Sequence, residues 1–253
     1  MKYDFTGKIA MITGAASGLG RATALLFAEL GAKVVVSDIA VEGGEETVKM
    51  IREKGGESIF IECNVANEEA VCELVAQTVQ HFGRLDFGIN NAGVGGMWMA
   101  SHKYPLDNFE KVLATNTTGV YLCMREELKV MLRQGSGVII NVASMAGLLG
   151  FPNNLAYSAS KHAVVGMTKT AALEYAKRKI RVNAVCPVYT ITPMVEEMFE
   201  VIGDFKDKLE TSIPMKRFGQ AQEVADAVVW LCSDAASFIT GHALPIDGGL
   251  QAG

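Results

Sequence analysis

The first forty residues contain the pattern that most restricts how this chain can fold. Residues 8–13 are typical of a buried strand, residues 14–20 form a glycine-rich loop, and residues 21–30 have helical periodicity. A second apolar strand over residues 33–38 ends in Asp38, 20 residues after the second glycine of the loop. Glycines let a backbone approach a pyrophosphate, a helix N-terminus attracts the anion, and a carboxylate at about this offset can hold an adenosine ribose. This order predicts a dinucleotide-binding α/β unit.

The rest of the chain continues the alternation of strands and helices. Strands are predicted at residues 57–62, 85–90, 137–142, 180–185 and 243–247, and helices at residues 42–54, 68–82, 106–133, 155–178, 193–210 and 222–233. Such alternation indicates a parallel sheet covered by helices on both faces. No linker, repeat or low-complexity run divides the 253 residues, so we expect a single domain over residues 1–253.

Polar and glycine residues collect where these strands end. In doubly wound sheets, ligands bind outside the carboxyl ends of the strands. Six residues fall at such ends, namely Gly14, Asp38, Asn64, Asn90, Ser144 and Pro187. The strand pattern alone therefore places a ligand site along this edge of the sheet.

Composition excludes several classes of function. Hydrophobic residues make up 49% of the chain and charged residues 20%, which is typical of a globular protein. The net charge of −5 and the lack of a dense Lys/Arg run argue against nucleic acid or a membrane as partner. No apolar stretch is long enough to cross a membrane, and the N-terminus lacks the apolar core of a signal peptide. Five cysteines and four scattered histidines indicate neither a disulfide framework nor a metal site, and a cytoplasmic location is expected.

Tyr157 and Lys161 form the strongest chemical signal. They lie four residues apart in a predicted helix and therefore share one helix face. A fixed cation favours a phenolate and lowers the pKa of a nearby tyrosine. A tyrosine tuned in this way can exchange a proton with an alcohol or ketone oxygen. Ser144, thirteen residues upstream, ends a predicted strand and can lie beside the pair.

Taken together, these motifs resemble the short-chain dehydrogenase/reductase family over essentially the whole chain. The matching segments are T-G-x-x-x-G-x-G at Thr13 to Gly20, N-N-A-G at Asn90 to Gly93, Asn116, Ser144, Tyr157 with Lys161, Pro187 with Thr192, and Asp247-Gly248-Gly249. The resemblance implies a Rossmann-type, doubly wound, seven-stranded parallel sheet. It also implies hydride transfer between a nicotinamide and a carbonyl carbon.

The same resemblance assigns catalytic roles to four residues. Tyr157 is expected to be the general acid for ketone reduction and the base for alcohol oxidation, and Ser144 to hydrogen-bond the substrate oxygen. Lys161 is expected to lower the pKa of Tyr157 and hold the nicotinamide ribose. Asn116 is expected to help hold a water molecule that links Lys161 to solvent.

The cofactor is predicted to be NAD rather than NADP. Asp38 can accept hydrogen bonds from a ribose 2′-hydroxyl and repels a 2′-phosphate, and Ile39 stands where NADP-preferring relatives often carry a basic residue. Arg21 is the nearby cation that opposes this prediction. The expected contacts are Gly14, Ser17, Gly18, Leu19, Gly20, Asp38, Ile39, Asn64, Val65, Asn90, Ala92, Gly93, Tyr157, Lys161, Pro187, Val188, Thr190 and Thr192.

Two positions depart from the family pattern. Asn64 replaces a usual Asp that contacts adenine, and it keeps an acceptor oxygen. Val188 replaces a usual Gly beside the nicotinamide, where it adds bulk and resists some backbone geometries. We therefore expect Val188 to reshape the substrate pocket and change its stereochemical preference.

An apolar substrate pocket is expected beneath a helical lid at about residues 188–215. Its predicted lining comprises Gly95, Met97, Trp98, Ser144, Leu149, Phe151, Tyr157, Val188, Met194 and Met198. Apolar pockets favour apolar ligands, so we expect a neutral, hydrophobic ketone or secondary alcohol. Hydroxysteroids and sugar alcohols remain open as substrates.

Two rival functions remain at this point. A 3-oxoacyl-carrier-protein reductase needs a basic docking patch, for which Arg125, Lys129 and Arg133 are candidates interrupted by Glu126 and Glu127. A non-catalytic dinucleotide sensor on the same fold would be expected to lose Tyr157 or Lys161. The resemblance also implies a homotetramer that buries the glycine-rich C-terminus and the long helices at 106–133 and 155–178.

Overall fold

A seven-stranded parallel sheet forms the centre of the computed structural model, which describes residues 3–203 and 205–252. The strand order is β3-β2-β1-β4-β5-β6-β9. These strands are β1 (Ile9–Thr13), β2 (Lys33–Asp38), β3 (Ser58–Glu62), β4 (Phe87–Asn90), β5 (Gly137–Val142), β6 (Ile180–Pro187) and β9 (Ala243–Ile246). A separate pair, β7 (Thr190–Ile191) and β8 (Gly219–Gln220), was not predicted. The predicted doubly wound, seven-stranded fold is confirmed.

Helices occupy the connections between the strands. They are α1 (Gly18–Glu29), α2 (Val41–Glu53), α3 (Glu68–Phe82), α4 (Leu106–Leu113), α5 (Val120–Gln134), α6 (Leu155–Tyr175), α7 (Pro193–Ile202), α8 (Phe205–Ser212) and α9 (Ala221–Cys232). In the described ranges, no helix has both the length and the apolar character needed to cross a membrane.

Two hydrophobic layers sandwich the sheet. Successive strand residues point to opposite faces, so Met11 packs into one layer and Ile12 of the same strand into the other. The first layer includes Leu74 of α3 and Val164 of α6, whereas the second includes Phe27 of α1. Because both faces are covered, most strand residues are buried and apolar, which explains their continuous hydrophobic runs.

Several predicted helices have different boundaries. The expected helix at 106–133 is α4 and α5 joined by a wider π-helical turn at Ala114–Gly119. The expected helix at 193–210 is instead two helices, α7 and α8. The predicted range includes Asp204, which lies outside the described residues, as do Met1, Lys2 and Gly253. The helix at 155–178 ends at Tyr175 and continues as a short 3₁₀ turn. The strand at 85–90 begins only at Phe87.

The order of the strands reverses at β1, whose neighbours are β2 and β4. Strands β2 and β3 lie on one side of β1. The chain then returns to the other side of β1, where β4 begins the second half of the sheet. In open α/β sheets the connections on the two sides of such a reversal leave a crevice at the carboxyl ends. The fold therefore places its main crevice beside the loops that follow Thr13 and Asn90.

Candidate active site

A cavity of about 1080 Å³ lies at the carboxyl ends of the sheet strands. It brings together most of the predicted site residues. The predicted residues on its wall are Gly14, Ser17, Gly18, Leu19, Asp38, Ile39, Asn64, Val65, Ala92, Gly93, Gly95, Met97, Trp98, Ser144, Phe151, Tyr157, Lys161, Pro187, Val188, Thr190, Thr192, Met194 and Met198. The glycine turn and the three residues Ser144, Tyr157 and Lys161 therefore border the same cavity.

The glycine turn between β1 and α1 has the geometry of an anion cradle. Gly14 and Gly18 have φ values of +65° and +53°, in the left-handed region that favours glycine. A Cβ on Gly14 would lie 2.7 Å from the Cα atom of Ala92, so a side chain there would clash. Ser17 and Gly18 open α1, where the first backbone N–H groups have no intrahelical partner. This turn fits a pyrophosphate.

Gly20 has a packing role that differs from its predicted ligand contact. It does not line the cavity, and a Cβ at this position would lie 2.1 Å from the Gly14 carbonyl oxygen. The helix therefore needs glycine here to approach the loop. This assignment is corrected from cofactor contact to support of the glycine turn.

Asp38 is held at the end of β2 by two backbone donors. Its Oδ2 accepts the N–H of Ala16 at 2.9 Å, and its Oδ1 accepts the N–H of Ala40 at 3.0 Å. Arg21, the cation that opposed the NAD prediction, is bound elsewhere. Its guanidinium donates to the carbonyl of Ala16, to the carbonyl of Gly43 at 3.1 Å and to Oγ1 of Thr47 at 3.0 Å. The carboxylate of Asp38 thus borders the cavity without an arginine partner.

Asn116 lies within the π-helical turn and is fully buried. Its Oδ1 accepts the Val94 N–H at 2.8 Å, and its Nδ2 donates to the Val94 carbonyl at 2.9 Å and to Ser160 Oγ at 3.1 Å. The Ser160 hydroxyl in turn donates to the carbonyl of Tyr157 at 2.7 Å. Asn116 therefore ties the loop after β4 to the helix that carries Tyr157. The predicted water-holding role stays a prediction.

Ser144, Tyr157 and Lys161 meet at one end of the cavity. Ser144 follows β5, and its hydroxyl donates to the Pro187 carbonyl at 3.4 Å. The Ser144 Oγ also accepts the N–H of Ala146 at 3.1 Å. The Lys161 Nζ donates to the Val142 carbonyl at 2.7 Å and lies 5.5 Å from the centre of the Tyr157 ring. These contacts fix the phenol, hydroxyl and amine relative to one another.

Burial is the main cause of the pKa shifts of Lys161 and Tyr157. It lowers the pKa of Lys161 to about 8. It raises the pKa of Tyr157, although the hydrogen bond from Ser144 acts in the opposite direction. Removal of the phenol from water is the largest effect on its pKa, and the expected effect of Lys161 on Tyr157 stays a prediction. In this structure Tyr157 is poised as a proton donor at neutral pH.

Asn90 was predicted to contact the cofactor, but its side chain lies in the core. It is 2% exposed, is absent from the cavity wall, and its Nδ2 donates to Glu127 Oε2 at 3.1 Å and to Asn141 Oδ1 at 3.0 Å. The neighbouring Asn91 takes the position at the site. Its Nδ2 donates to the carbonyls of Thr13 and Gly14, both at 2.9 Å, which braces the glycine turn.

Leu149 was predicted to line the substrate pocket, but the structure places it elsewhere. It packs against the core layer that contains the β5 and β6 side chains, rather than lining the cavity. The backbone N–H of Leu149 bonds to the Met145 carbonyl at 2.9 Å, which turns this segment inward. Several residues that were not predicted also line the cavity, among them the polar residues Lys111, Asn154, Tyr189 and Glu197.

The two departures from the family pattern both border the cavity. Val188 is 9% exposed and its N–H bonds to the Ile246 carbonyl at 3.1 Å, so its β-branched side chain is fixed in the wall. The Oδ1 of Asn64 accepts the Ala66 N–H at 3.0 Å and keeps a second lone pair for a ligand.

The chain is similar to curated enzymes along nearly its whole length. The family model described as enoyl-(acyl carrier protein) reductase matches residues 14–251. A 2,5-dichloro-2,5-cyclohexadiene-1,4-diol dehydrogenase of Sphingobium indicum is 42% identical, with coverage of 98% of this chain and 99% of the relative. A cyclohexanol dehydrogenase of Acinetobacter sp. is 40% identical, with 98% and 96% coverage. A 3-oxoacyl-[acyl-carrier-protein] reductase of Thermotoga maritima is also 40% identical, with 96% and 98% coverage.

The fold of this chain is also similar to solved structures of enzymes. The crystal structure of an NAD⁺-bound xylitol dehydrogenase superposes with a TM-score of 0.94 at 39% identity, and the match covers 97% of this chain and 99% of that one. The crystal structure of a levodione reductase gives the same TM-score and identity, with 98% and 99% coverage. The similarity therefore includes the sheet, the glycine turn and the segments that surround the cavity.

Proposed function

The chain belongs to the short-chain dehydrogenase/reductase family, and we propose that it is an NAD(H)-dependent oxidoreductase that interconverts a hydrophobic secondary alcohol and a ketone. One observation carries this proposal. The glycine turn and Asp38 border the same cavity as Ser144, Tyr157 and Lys161. A site of this composition can hold a dinucleotide beside an oxygen that gains or loses a proton.

The residues on the wall fit the adenosine and pyrophosphate of NAD. The free N–H groups at the start of α1 suit the pyrophosphate, and the Asp38 carboxylate suits the two ribose hydroxyls. The carboxylate would repel a 2′-phosphate, and Arg21 is already bound to three groups of the protein. These features support NAD over NADP.

The protein supplies a proton path to the reacting oxygen. When bound, NAD⁺ supplies the hydride acceptor for alcohol oxidation and NADH the hydride donor for ketone reduction. The phenol of Tyr157 gives its proton to the carbonyl oxygen in reduction, and its phenolate form takes the hydroxyl proton in oxidation. Ser144 donates a hydrogen bond to the same oxygen and stabilises its developing negative charge. Lys161, one turn along α6, lies beside the phenol, and its amine would hold the ribose hydroxyls of the nicotinamide.

The cavity wall supports an apolar, ring-shaped substrate. Met97, Trp98, Phe151, Met194 and Met198 all border it. Two relatives are named as dehydrogenases of cyclohexanol and of a cyclohexadiene diol. We therefore assign a cyclic secondary alcohol or ketone as the substrate class.

Initial rates of NAD⁺ reduction at mildly alkaline pH, over cyclic, aliphatic, aryl, sugar and steroid alcohols, test this function. We expect turnover of cyclic apolar alcohols. The variant Tyr157→Phe keeps the aromatic ring and removes the hydroxyl that exchanges the proton. It should lower kcat by about 10²- to 10⁴-fold while NAD⁺ still binds. Turnover that survives this change would refute the mechanism. Bound NAD⁺ without turnover of any substrate would favour a dinucleotide sensor.

A 3-oxoacyl-carrier-protein reductase is the second candidate, favoured by the relative from Thermotoga maritima that carries this name. Such an enzyme needs exposed positive charge to dock an acidic carrier. Here Arg125 pairs with Glu68 and Glu126, and Lys129 pairs with Glu126, so two of the three candidate docking residues are neutralised. Turnover of a 3-oxoacyl thioester with NADPH, in preference to cyclic ketones with NADH, would select this alternative.

A further inference from the structure

The wall beside the catalytic group is not uniformly apolar. Asn154 and Tyr189 both line the cavity, as does Phe151, whose ring meets the Tyr189 ring edge-on at 6.2 Å. Asn154 immediately precedes α6, three residues before Tyr157. Side chains three residues apart along a helix are neighbours, with Cβ atoms about 5–6 Å apart. The amide of Asn154 is therefore about one helical turn from the phenol that handles the reacting oxygen.

Neither polar side chain has a hydrogen-bond partner among residues 3–203 and 205–252. In the described ranges, the Asn154 side chain has no hydrogen-bond partner, and its Oδ1 is sealed from solvent. The Tyr189 hydroxyl likewise bonds to no residue that the structure describes, and burial raises its pKa, so it stays a neutral donor. Other polar groups on the wall differ, since Thr190 bonds to the Val188 carbonyl and Thr192 to the Thr190 carbonyl. A buried polar atom without a partner is costly, and the Asn154 Oδ1 is such an atom, which favours a ligand that completes it.

Both side chains are also held in place. The Tyr189 ring packs edge-on against Phe151 and Phe218, and its carbonyl accepts the Gly219 N–H at 3.0 Å. Asn154 pairs with Met99 in an isolated parallel bridge, which fixes its backbone beside the 97–99 segment of the wall. Groups fixed before a ligand arrives lose little entropy on binding, so they can discriminate between ligands.

We propose that Asn154 and Tyr189 form a subsite for a second, uncharged oxygen on the substrate, across the ring from the carbon that Tyr157 serves. The preferred substrates would then be cyclic diols, hydroxyketones or diones rather than simple cyclic alcohols. The Asn154 Oδ1 is a neutral acceptor and the Tyr189 hydroxyl is a neutral donor. A hydroxyl can bond to both and a carbonyl to Tyr189, whereas a carboxylate would be repelled by Oδ1. This inference rests on the proposed function and names its substrate class more narrowly.

The test compares trans-1,4-cyclohexanediol with trans-4-methylcyclohexanol, which has a similar size but no second oxygen. Each hydroxyl of the diol can react, so kcat/KM is counted per hydroxyl. We expect the wild-type enzyme to prefer the diol by about tenfold or more, the scale of hydrogen bonds to otherwise unpaired groups. Tyr189→Phe and Asn154→Leu keep the shape and remove the polar atoms. Each should lower the ratio of the two kcat/KM values by about fivefold to tenfold, and the double variant should abolish the preference.

Tyr175→Phe is the matched control, because Tyr175 packs at the end of α6 and does not line the cavity. It should leave the ratio unchanged. A wild-type enzyme that turns over the methyl compound as well as the diol would overturn the subsite and leave the proposed function standing. A ratio that falls equally in Tyr175→Phe would also overturn it. If no alcohol in the panel is oxidised, the proposed function fails and the subsite falls with it. The wild-type comparison decides the outcome even if a variant does not fold.

Discussion

At the scale of single residues, we propose that Asp38 determines which dinucleotide binds. Its charge borders the cavity, and the nearby Arg21 is bound to Ala16, Gly43 and Thr47. We expect NAD⁺ to bind more tightly than NADP⁺. Asp38→Asn keeps the size and one acceptor oxygen and removes the charge. The ratio of the NADP⁺ Kd to the NAD⁺ Kd should fall by about tenfold or more, because repulsion between unit charges near a surface is on the order of a few kcal/mol.

Equilibrium binding of the two dinucleotides by fluorescence titration measures this ratio. Asp107→Asn removes the same charge from the first turn of α4, outside the cavity, and should leave the ratio unchanged. A wild-type ratio near one would contradict the preference for NAD.

Much of the site could be predicted because its residues follow strand ends in a fixed order. Asn90 was assigned to the wrong place because the pattern does not show which of two adjacent asparagines faces the ligand. Gly88 and Asn90 are two residues apart, so they share the sheet face that meets Glu127. The positions of Asn154 and Tyr189 depend on how the 147–154 loop and the segment after β6 pack together. Residue spacing alone does not determine that packing.

At the scale of elements, regular periodicity predicted most helices and strands to within one or two residues. The π-helical turn between α4 and α5 was missed, because one extra residue per turn hardly disturbs an apolar pattern. It nevertheless decides where Asn116 points, and π-helical turns often mark functional sites. The β7–β8 pair was missed because two-residue strands carry no periodicity.

A buried acid on α5 gives a testable property of this element. Glu127 shares a helix face with Cys123 and Met131, which are both buried. It is itself fully buried against Gly88, where a Cβ would lie 2.3 Å from its Oε1. Its Oε2 accepts a hydrogen bond from Asn90, while Oε1 has no partner in the described part of the chain. Burial raises the pKa of Glu127 from 4.5 to about 7, against the opposing effect of Asn90.

This raised pKa predicts how stability changes with pH. Between about pH 4.5 and 7 the unfolded chain releases this proton while the folded chain keeps it. The free energy of unfolding therefore falls as pH rises through this window, by about 3 kcal/mol from this group, and the loss is complete above pH 7. Glu127→Gln is neutral throughout. Its Tm relative to wild type should rise by about 5 °C between pH 5.5 and 8.5, as measured by scanning calorimetry.

Glu126→Gln on the same helix is the control. Burial raises the pKa of Glu126, but hydrogen bonds from Lys129 and Arg125 outweigh it and the net pKa is lowered. Its carboxyl is therefore ionised in both the folded and unfolded states above pH 5.5. The Tm difference between this variant and wild type should stay constant over the range. Parallel Tm curves for Glu127→Gln and wild type would contradict the buried-acid interpretation.

At the scale of the whole molecule, large apolar side chains are exposed on α5, on α6 and after α9. Leu173 on α6 is 85% exposed and Phe238 is fully exposed, while Tyr121 on α5 and Leu155 on α6 are nearly half exposed. Scattered apolar residues are normal, but side chains of this size on the two long helices indicate surfaces that a partner copy covers. We propose a homotetramer that buries these helices at one contact and the C-terminal region at another.

Light scattering should therefore give four times the mass of one chain. Leu173→Asp places a charge in the proposed α6 contact, where it would have to lose water, and should shift the protein to a smaller species at micromolar concentration. Phe238→Asp should do the same through the other contact, and both together should give monomers. Lys49→Ala on α2, away from both surfaces, should leave the tetramer intact. Wild-type protein that is monomeric would refute the assembly, and tetramers that survive both substitutions would place the contacts elsewhere.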